Sequence, residues 1–413
     1  MPASLPSRRE FLRYGAWSTA VATAWGESVP LSAAEEKPSA LKIINVETFA
    51  MRHRLKQAIG PSTTLYPFRD ALLIKITTDS GIIGWGEAPD VGGTRGIIEN
   101  HLKKQLIDKN PLEHRKLWRS LWGPNFGDGR AVGGVDIALH DIRGKALGLP
   151  VYDLYGGKVR DKLFAYSSSM NYTAGVDPLD QHPAEAQQLV ERGFRALKAR
   201  TGRFGMKRDL AVLAKVREAV GPEIRLQTDG NGAMTFPQAV AFGIELAKLD
   251  FYFLEEPIPQ KGPFYPRYPE LTESLDIALA GGEVLDSRLN AKELIVAKAF
   301  DMIQPDATLC GGIGECLAIA EFAALFGVLV HPHCWGGAIA IAAAMHVVAC
   351  IPDFTWGNSA DQPMLELDVY ENPFRDELTS FPFTVRDGFV NLPTAPGLGI
   401  EIDEAVIEKY AVK

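Results

Sequence analysis

Polar residues recur at the ends of short apolar runs between Leu197 and His333: Lys198 and Arg200, Asp229 and Asn231, Glu255, Glu283, Asp306 and His333. Asp229, Glu255 and Glu283 would repel one another strongly if gathered in a low-dielectric mouth, and a divalent cation would resolve that conflict. All-oxygen ligation favours Mg²⁺ over zinc or copper, with Asn231 able to add an amide oxygen or to bind substrate. The competing reading leaves each acid as an isolated strand-end residue bonded to backbone or to an arginine; three in sequential register weigh toward the metal. Lys198 and Arg200 alternate on one run and so face the same way, as two cations opposite the acids. A crowded lysine can lose its proton and an arginine effectively cannot, which makes Arg200 a carboxylate clamp or electrostatic partner. Asp306 and His333 put a carboxylate beside an imidazole, a pairing that fixes the tautomer, raises basicity and gives a general base able to return the proton as an acid. His331 is the competing histidine, expected deeper, and Glu256 is expected to point away from Glu255.

From Arg200 onward these landmarks lie about 23 to 29 residues apart, the length of one strand, one helix and two short loops. That is the repeat of a (β/α) barrel, in which the carboxyl ends of successive parallel strands share one mouth. Barrel strands are expected at 163–167, 196–200, 224–228, 251–254, 277–280, 302–304, 328–331 and 354–356. Helices are expected at 183–192, 208–220, 237–249, 291–297, 315–326 and 338–350. Ahead of the barrel, antiparallel strands at 42–50, 71–77 and 81–87 and helices at 96–106, 112–121 and 132–147 suggest a small α+β domain. The polar, proline-bearing stretch 52–68 reads as a long loop of the kind that covers functional sites. Its residues Arg52, His53, Arg54 and Tyr66 are candidates for contact with the far hydroxyls or a second carboxylate of a substrate, or are simply solvated. A strand pair around Asp387-Gly388 within 383–392 is expected to return to the first domain. The expected division is a leader over 1–34, a capping domain over 41–160 completed by 386–413, and a barrel over 161–385.

The 413 residues carry a formal charge of −8 with no basic block, which argues against nucleic acid as the main partner. Ser7-Arg8-Arg9-Glu10-Phe11-Leu12, a mildly apolar run to Trp25 and the small residues Leu31-Ser32-Ala33-Ala34 follow the order of a twin-arginine export signal. The apolar run is too short and too polar to hold the chain in a membrane, so a periplasmic location without stable membrane association is expected. Cys310, Cys316, Cys334 and Cys350 show no disulfide-scaffold spacing and are expected as buried free thiols. Cys334 beside His331 and His333 lacks a second pair at zinc-ligand spacing.

The chain resembles the mandelate racemase subgroup of the enolase superfamily over essentially all of the mature sequence. The resemblance is carried by GGVDIALHDIRGKALGLPVYDLYGG from Gly133, LKAR from Leu197, TDGNG from Thr228, FLEEP from Phe253, GGE from Gly281, QPDATLCGG from Gln304, VHPHCWGG from Val330 and the LPTAPGLGIEID close to the end. It implies an α/β fold, a (β/α)7β TIM-like barrel under an N-terminal α+β capping domain. It also implies Mg²⁺ on Asp229, Glu255 and Glu283, and proton abstraction next to a substrate carboxylate, with the enediolate stabilised by metal and cations. Two departures stand out. Two-base relatives usually carry a second lysine where this chain has Arg200, and the glutamate that several relatives place on the eighth strand is missing from the corresponding Trp356 to Asp361, which leaves Asn358 as a substrate contact. Racemisation needs proton transfer on both faces, whereas dehydration needs one base that can also serve as acid. Dehydration of a sugar acid to a 2-keto-3-deoxy acid is therefore expected, ahead of an α-hydroxy-acid racemase or epimerase using Lys198 and of a non-catalytic sugar-acid binding protein. A small carboxylate ligand and a homo-oligomer are the expected partners.

Overall fold

The computed structural model describes residues 41–124, 127–355 and 361–412; the twin-arginine stretch and Asn358 lie outside them. Strands β1 (Ile43–Gly60), β2 (Tyr66–Thr78) and β3 (Ile83–Ala88) form an antiparallel sheet in the order β3-β2-β1. The expected loop over 52–68 is corrected here, because β1 and β2 continue as one long hairpin that pairs Arg52 with Asp70, His53 with Arg69 and Arg54 with Phe68. A register shift between Arg54 and Ile59 breaks the two-residue alternation that would have marked the extension as strand. On the other face of this sheet Leu72, Ile74 and Ile76 alternate inward against Val132, Val135 and Leu139 of the helix Gly129–Leu147. That helix starts at Asp128, whose side chain accepts from the backbone N–H groups of Arg130 and Ala131, and stops at a left-handed Gly148. It packs so closely on β3 that a Cβ on Gly86 would stand 1.9 Å from the Gly134 carbonyl oxygen, so only glycine fits.

The barrel begins with β4 (Lys162–Ser168). After the short β5 (Tyr172–Thr173), which pairs with β1, come β6 (Ala196–Arg200), β7 (Arg225–Asp229), β8 (Phe251–Glu255), β9 (Ala278–Gly281), β10 (Met302–Ile303), β11 (Leu329–Val330) and β12 (Leu365–Asp368). Neighbours are parallel in the order β11-β10-β9-β8-β7-β6-β4-β12. The intervals carry Pro178–Glu191, Met206–Val220, Phe236–Ala247, Tyr268–Glu273, Arg288–Val296, Ile313–Ala324 and Ala338–Cys350, which makes a (β/α)7β barrel with the antiparallel domain as its cap. The eighth strand is Leu365–Asp368, not 354–356. Acids are poor strand formers, and the burial of Glu366 depends on a distant lysine that no local pattern displays. Among the described residues no ladder joins β11 to β12. Two side chains span the gap: His331 Nδ1 accepts from Met364 N at 3.0 Å, and Glu366 Oε2 accepts from Cys334 N at 3.2 Å.

The last strand, β13 (Phe389–Asn391), pairs antiparallel with β4, so this element returns to the barrel and not to the first domain as expected. The cap is rejoined further on, after the helix Glu404–Tyr410, where Ala411 bridges Met51 and Val412 N donates to Ala50 O. Cys310, Cys316 and Cys334 are buried free thiols, and Cys350 is half-buried. No helix of the described residues is long and apolar enough to cross a membrane.

Candidate active site

The parallel ladders set the polar strand ends side by side. Arg200 at the end of β6 is level with Asp229 at the end of β7, which is level with Glu255 at the end of β8. Glu283, Asp306 and His333 follow just beyond β9, β10 and β11, and Glu366 comes up from β12. Each chain reversal is tight: Asn231 and Glu256 both take left-handed φ values, 45° and 41°, immediately after the acids. For a glutamate this is an outlier of the kind held in place at functional sites. The Glu256 N–H donates to Ala280 O, and its side chain is buried within the influence of Glu283 and Asp229.

Lys198 lies beneath the mouth, 1% exposed. Its Nζ is 3.0 Å from both carboxylate oxygens of Glu255, 2.7 Å from Glu366 Oε1 and 3.7 Å from Asp229 Oδ2. Burial alone would depress its pKa, but Glu255, Glu366 and Asp229 raise it above the usual lysine value, so it is a locked cation. Arg200 bonds Asp229 through Nη1 and also reaches Asn231 Oδ1 at 3.3 Å, Asn171 Oδ1 at 3.2 Å and Ser168 Oγ at 3.2 Å. Gln304 Nε2 donates to Glu255 Oε2 at 3.0 Å.

On the opposite wall His333 Nδ1 donates to Asp306 Oδ2 at 2.7 Å, while its Nε2 lies 3.3 Å from Glu283 Oε2. Asp306 is itself held by the backbone N–H and the hydroxyl of Thr308. Burial would lower the His333 pKa, but Glu283, Glu366 and Asp306 raise it to about 10. His331 sits deeper, fully buried, and burial pushes it down to about 3.

Acids outnumber cations here. Burial, together with the neighbouring carboxylates, raises Glu255 to about 7 against the pull of Lys198, and pushes Glu256 and Glu283 up as well. Glu366 is the exception: Lys198 and His333 overcome its burial and bring it down to about 2. A hard divalent cation fits this donor set, because Asp229, Glu255 and Glu283 offer only oxygens and the buried Glu256 Oε1 has no partner. Three other side chains, His114, Asp136 and His140, bring ligand atoms within 4.8 Å of one another, but they are bonded to each other and to the backbone and lie outside the cavity lining.

A cavity of about 350 Å³ opens over the mouth. The barrel lines it with Asn171, Arg200, Asn231, Glu283, His333 and Trp335, and the cap with Leu55, Ile59, Tyr66, Phe68 and Arg69. The expected contacts from Arg52, His53 and Arg54 are corrected: none of them lines the cavity. His53 Nε2 bonds Glu371 at 3.0 Å, and Arg54 is exposed with its guanidinium over Phe68. Both belong to the bulged stretch of β1, whose inward positions are Leu55 and Ile59. Sequence reasoning missed Glu366, because its strand was misplaced. It also missed Asn171, Trp335 and Arg69; Arg69 pairs with Asp368 and stacks 4.3 Å over Trp335. Only Trp335, two residues past His333, carried a signal in its position.

The fold and the site together define an enolase-type capped barrel: acids on three successive strand ends, two cations before them and an aspartate–histidine pair after. The chain belongs to the mandelate racemase/muconate lactonizing enzyme family. Residues 43–156 match that family's N-terminal domain, and residues 181–406 match the enolase C-terminal domain-like model. A D-galactarolactone cycloisomerase of Agrobacterium fabrum is 33% identical over 90% of this chain and 99% of its own length. A D-galactonate dehydratase of Xanthomonas oryzae is 34% identical over 84% and 92%. The crystal structure of the 3,6-anhydro-D-galactonate cycloisomerase from Zobellia galactanivorans superposes with a TM-score of 0.79 at 31% identity, covering 90% of this chain and all of that one.

Proposed function

We propose that the protein removes the proton α to the carboxylate of a sugar acid and expels the oxygen on the β carbon, converting an aldonate or aldarate to a 2-keto-3-deoxy acid, with Mg²⁺ held by Asp229, Glu255 and Glu283. The observation that carries this reading is the asymmetry of the cavity. His333, backed by Asp306, faces it with a titratable nitrogen, whereas Lys198 is locked beneath by Glu255 and Glu366 and Arg200 keeps its proton. One base suits elimination and not racemisation. His333 Nε2 takes the α proton, the C–H electrons form the C=C bond of an enol, and the same proton passes to the departing β-hydroxyl, which leaves as water; the enol then becomes the keto acid. Lys198 and Arg200 are fixed positive charges near the carboxylate end, where negative charge builds up. Bound Mg²⁺ would polarise the substrate carboxylate and take up the charge on Glu283 that now raises His333.

The Xanthomonas relative's activity supports dehydration of an open-chain acid. The Agrobacterium and Zobellia relatives favour a second reading, in which the β-oxygen belongs to a ring and stays attached after elimination. We also propose, from the twin-arginine stretch, that the reaction takes place in the periplasm on a small carboxylate. Incubation of the protein with Mg²⁺ and a panel of aldonates, aldarates and their lactones or anhydro forms in D₂O tests the readings together. A 2-keto acid from an open-chain member supports dehydration, and one from a cyclic member supports ring opening. Deuterium at C2 without loss of the β-oxygen would instead establish an epimerase, and neither exchange nor keto acid would leave a binding protein.

A further inference from the structure

We infer that Asn171 is a substrate-binding residue whose side-chain amide N–H donates to an oxygen at the carboxylate end of the substrate; the identity of that substrate rests on the sugar-acid reading above. Asn171 lies between β4 and β5, is 0% exposed and lines the cavity. Its backbone is pinned at two points, N–H to the Tyr370 hydroxyl at 2.7 Å and C=O from Gln181 Nε2 at 3.1 Å. Its side chain is pinned at one, Oδ1 accepting from Arg200 Nε at 3.2 Å. The other end of the amide, Nδ2, has no partner among the described residues. Because Arg200 Nε can only donate, the amide cannot turn over without setting two donors against each other, so the nitrogen is the free end.

Unpaired buried donors are costly, and native proteins carry few. Here the neighbours that would be expected to grip an anion are already engaged. Arg200 commits Nη1 to Asp229 and Asn231 and donates from Nη2 to Ser168, and Asn231 Nδ2 donates to Asp229 Oδ2 at 3.1 Å. Asn171 therefore offers a preorganised donor beside a guanidinium, a pairing that suits an anionic oxygen. An amide neither gives up nor takes a proton in this setting, so the residue selects and orients but does no acid–base chemistry.

Full-length protein loaded with Mg²⁺ is titrated calorimetrically with tartronate, an unreactive α-hydroxy dicarboxylate, and assayed for turnover of D-galactonate. The variants are Asn171→Ala and Asn171→Asp. The aspartate keeps an oxygen for Arg200 but replaces the unpaired N–H with a charged acceptor, so it removes the donor and adds repulsion toward an anion, while the alanine removes the donor without adding charge. Expected are tartronate binding weakened about tenfold in Asn171→Ala and about a hundredfold in Asn171→Asp, KM raised more than kcat is lowered, and a thermal midpoint within about 2 °C of the parent. Binding within twofold of wild type in both variants overturns the inference, as does a wild type that binds no tartronate. Turnover in the wild type with no difference between variants sinks the role of Asn171 alone. Tartronate binding that the variants weaken, without turnover of D-galactonate or of any member of the sugar-acid panel above, sinks the reaction and leaves the binding role standing.

Discussion

Two acid–histidine clusters of this chain are built from the same residue types and arrive at opposite ends. In one, Asp136 lies between His114 and His140, accepts from the backbone N–H of Ile313 at the start of the helix Ile313–Ala324, and occupies the space that a side chain on Gly312 would need. Burial would raise its pKa, but the two rings hold it far below the usual carboxylate range, and one acid serves two histidines and a helix end. In the other, Asp229, Glu255, Glu256, Glu283 and Glu366 face Lys198, Arg200 and His333, and several groups are pushed far from their ordinary ranges. The difference is charge balance and access, not composition. A closed account of partners makes structure, while an excess of one sign beside a cavity leaves groups able to take a cation or move a proton.

Substitutions can break or sharpen this contrast. The largest effect is expected from His333→Asn, which should lower kcat for keto-acid formation by about 10³-fold while the thermal midpoint stays near that of the parent; full turnover would move the base elsewhere. Asp136→Ala should do the reverse. It leaves the half-buried His114 ring and a helix end without their acid, while His140 keeps the Asp136 carbonyl and the Tyr155 hydroxyl, and urea titration should show a loss of about 3 kcal/mol with kcat of the folded protein within twofold of wild type. A catalytic loss without destabilisation would erase the distinction between the clusters.

A third test uses His346, whose Nδ1 accepts from Tyr152 N and whose Nε2 donates to Leu398 O, and which burial lowers to about 4. Its folded pKa is depressed, so the unfolded chain binds a proton between pH 6.5 and 4 that the folded chain refuses, and its contribution to stability falls as pH drops through that window. His346→Leu should remove roughly 3 kcal/mol of that fall relative to wild type, whatever its cost at neutral pH. The raised pKa of His333 contributes nothing to the slope there, since that contribution is fully present below pH 6.5 and fades only toward 10. The smallest effect belongs to the exposed pair of Arg52 and Asp70, 2.6 Å apart. Arg52→Ala should change stability by less than about 1 kcal/mol by thermal denaturation.

Seven barrel strands were legible because each ends in a polar residue after a short apolar run, at the spacing of a βα unit. The eighth was not. Leu365–Asp368 alternates leucine with acid, and Glu366 stays inside only because Lys198, far away in sequence, meets it there. The same holds for the hairpin, where bulges in β1 hid an extended strand and drew attention to His53 and Arg54 rather than to Leu55 and Arg69. The gathering of Lys198, Arg200, Asp229, Glu255, Glu283, Asp306 and His333 at one mouth could be read from spacing. That Lys198 would lie under the acids and not face the cavity could not, since depth along a strand end depends on the packing of the whole ring.

The ring itself is not uniformly fastened. Around most of its circumference strands are tied by rows of backbone hydrogen bonds, but among the described residues the join between β11 and β12 depends on the side chains of His331 and Glu366. From that join β12 leads directly to Asp368 and Glu371, which clasp Arg69 and His53 of the cap. The strand held to its neighbour by side chains alone among the described residues is thus also the one whose end carries the clasp of the cap.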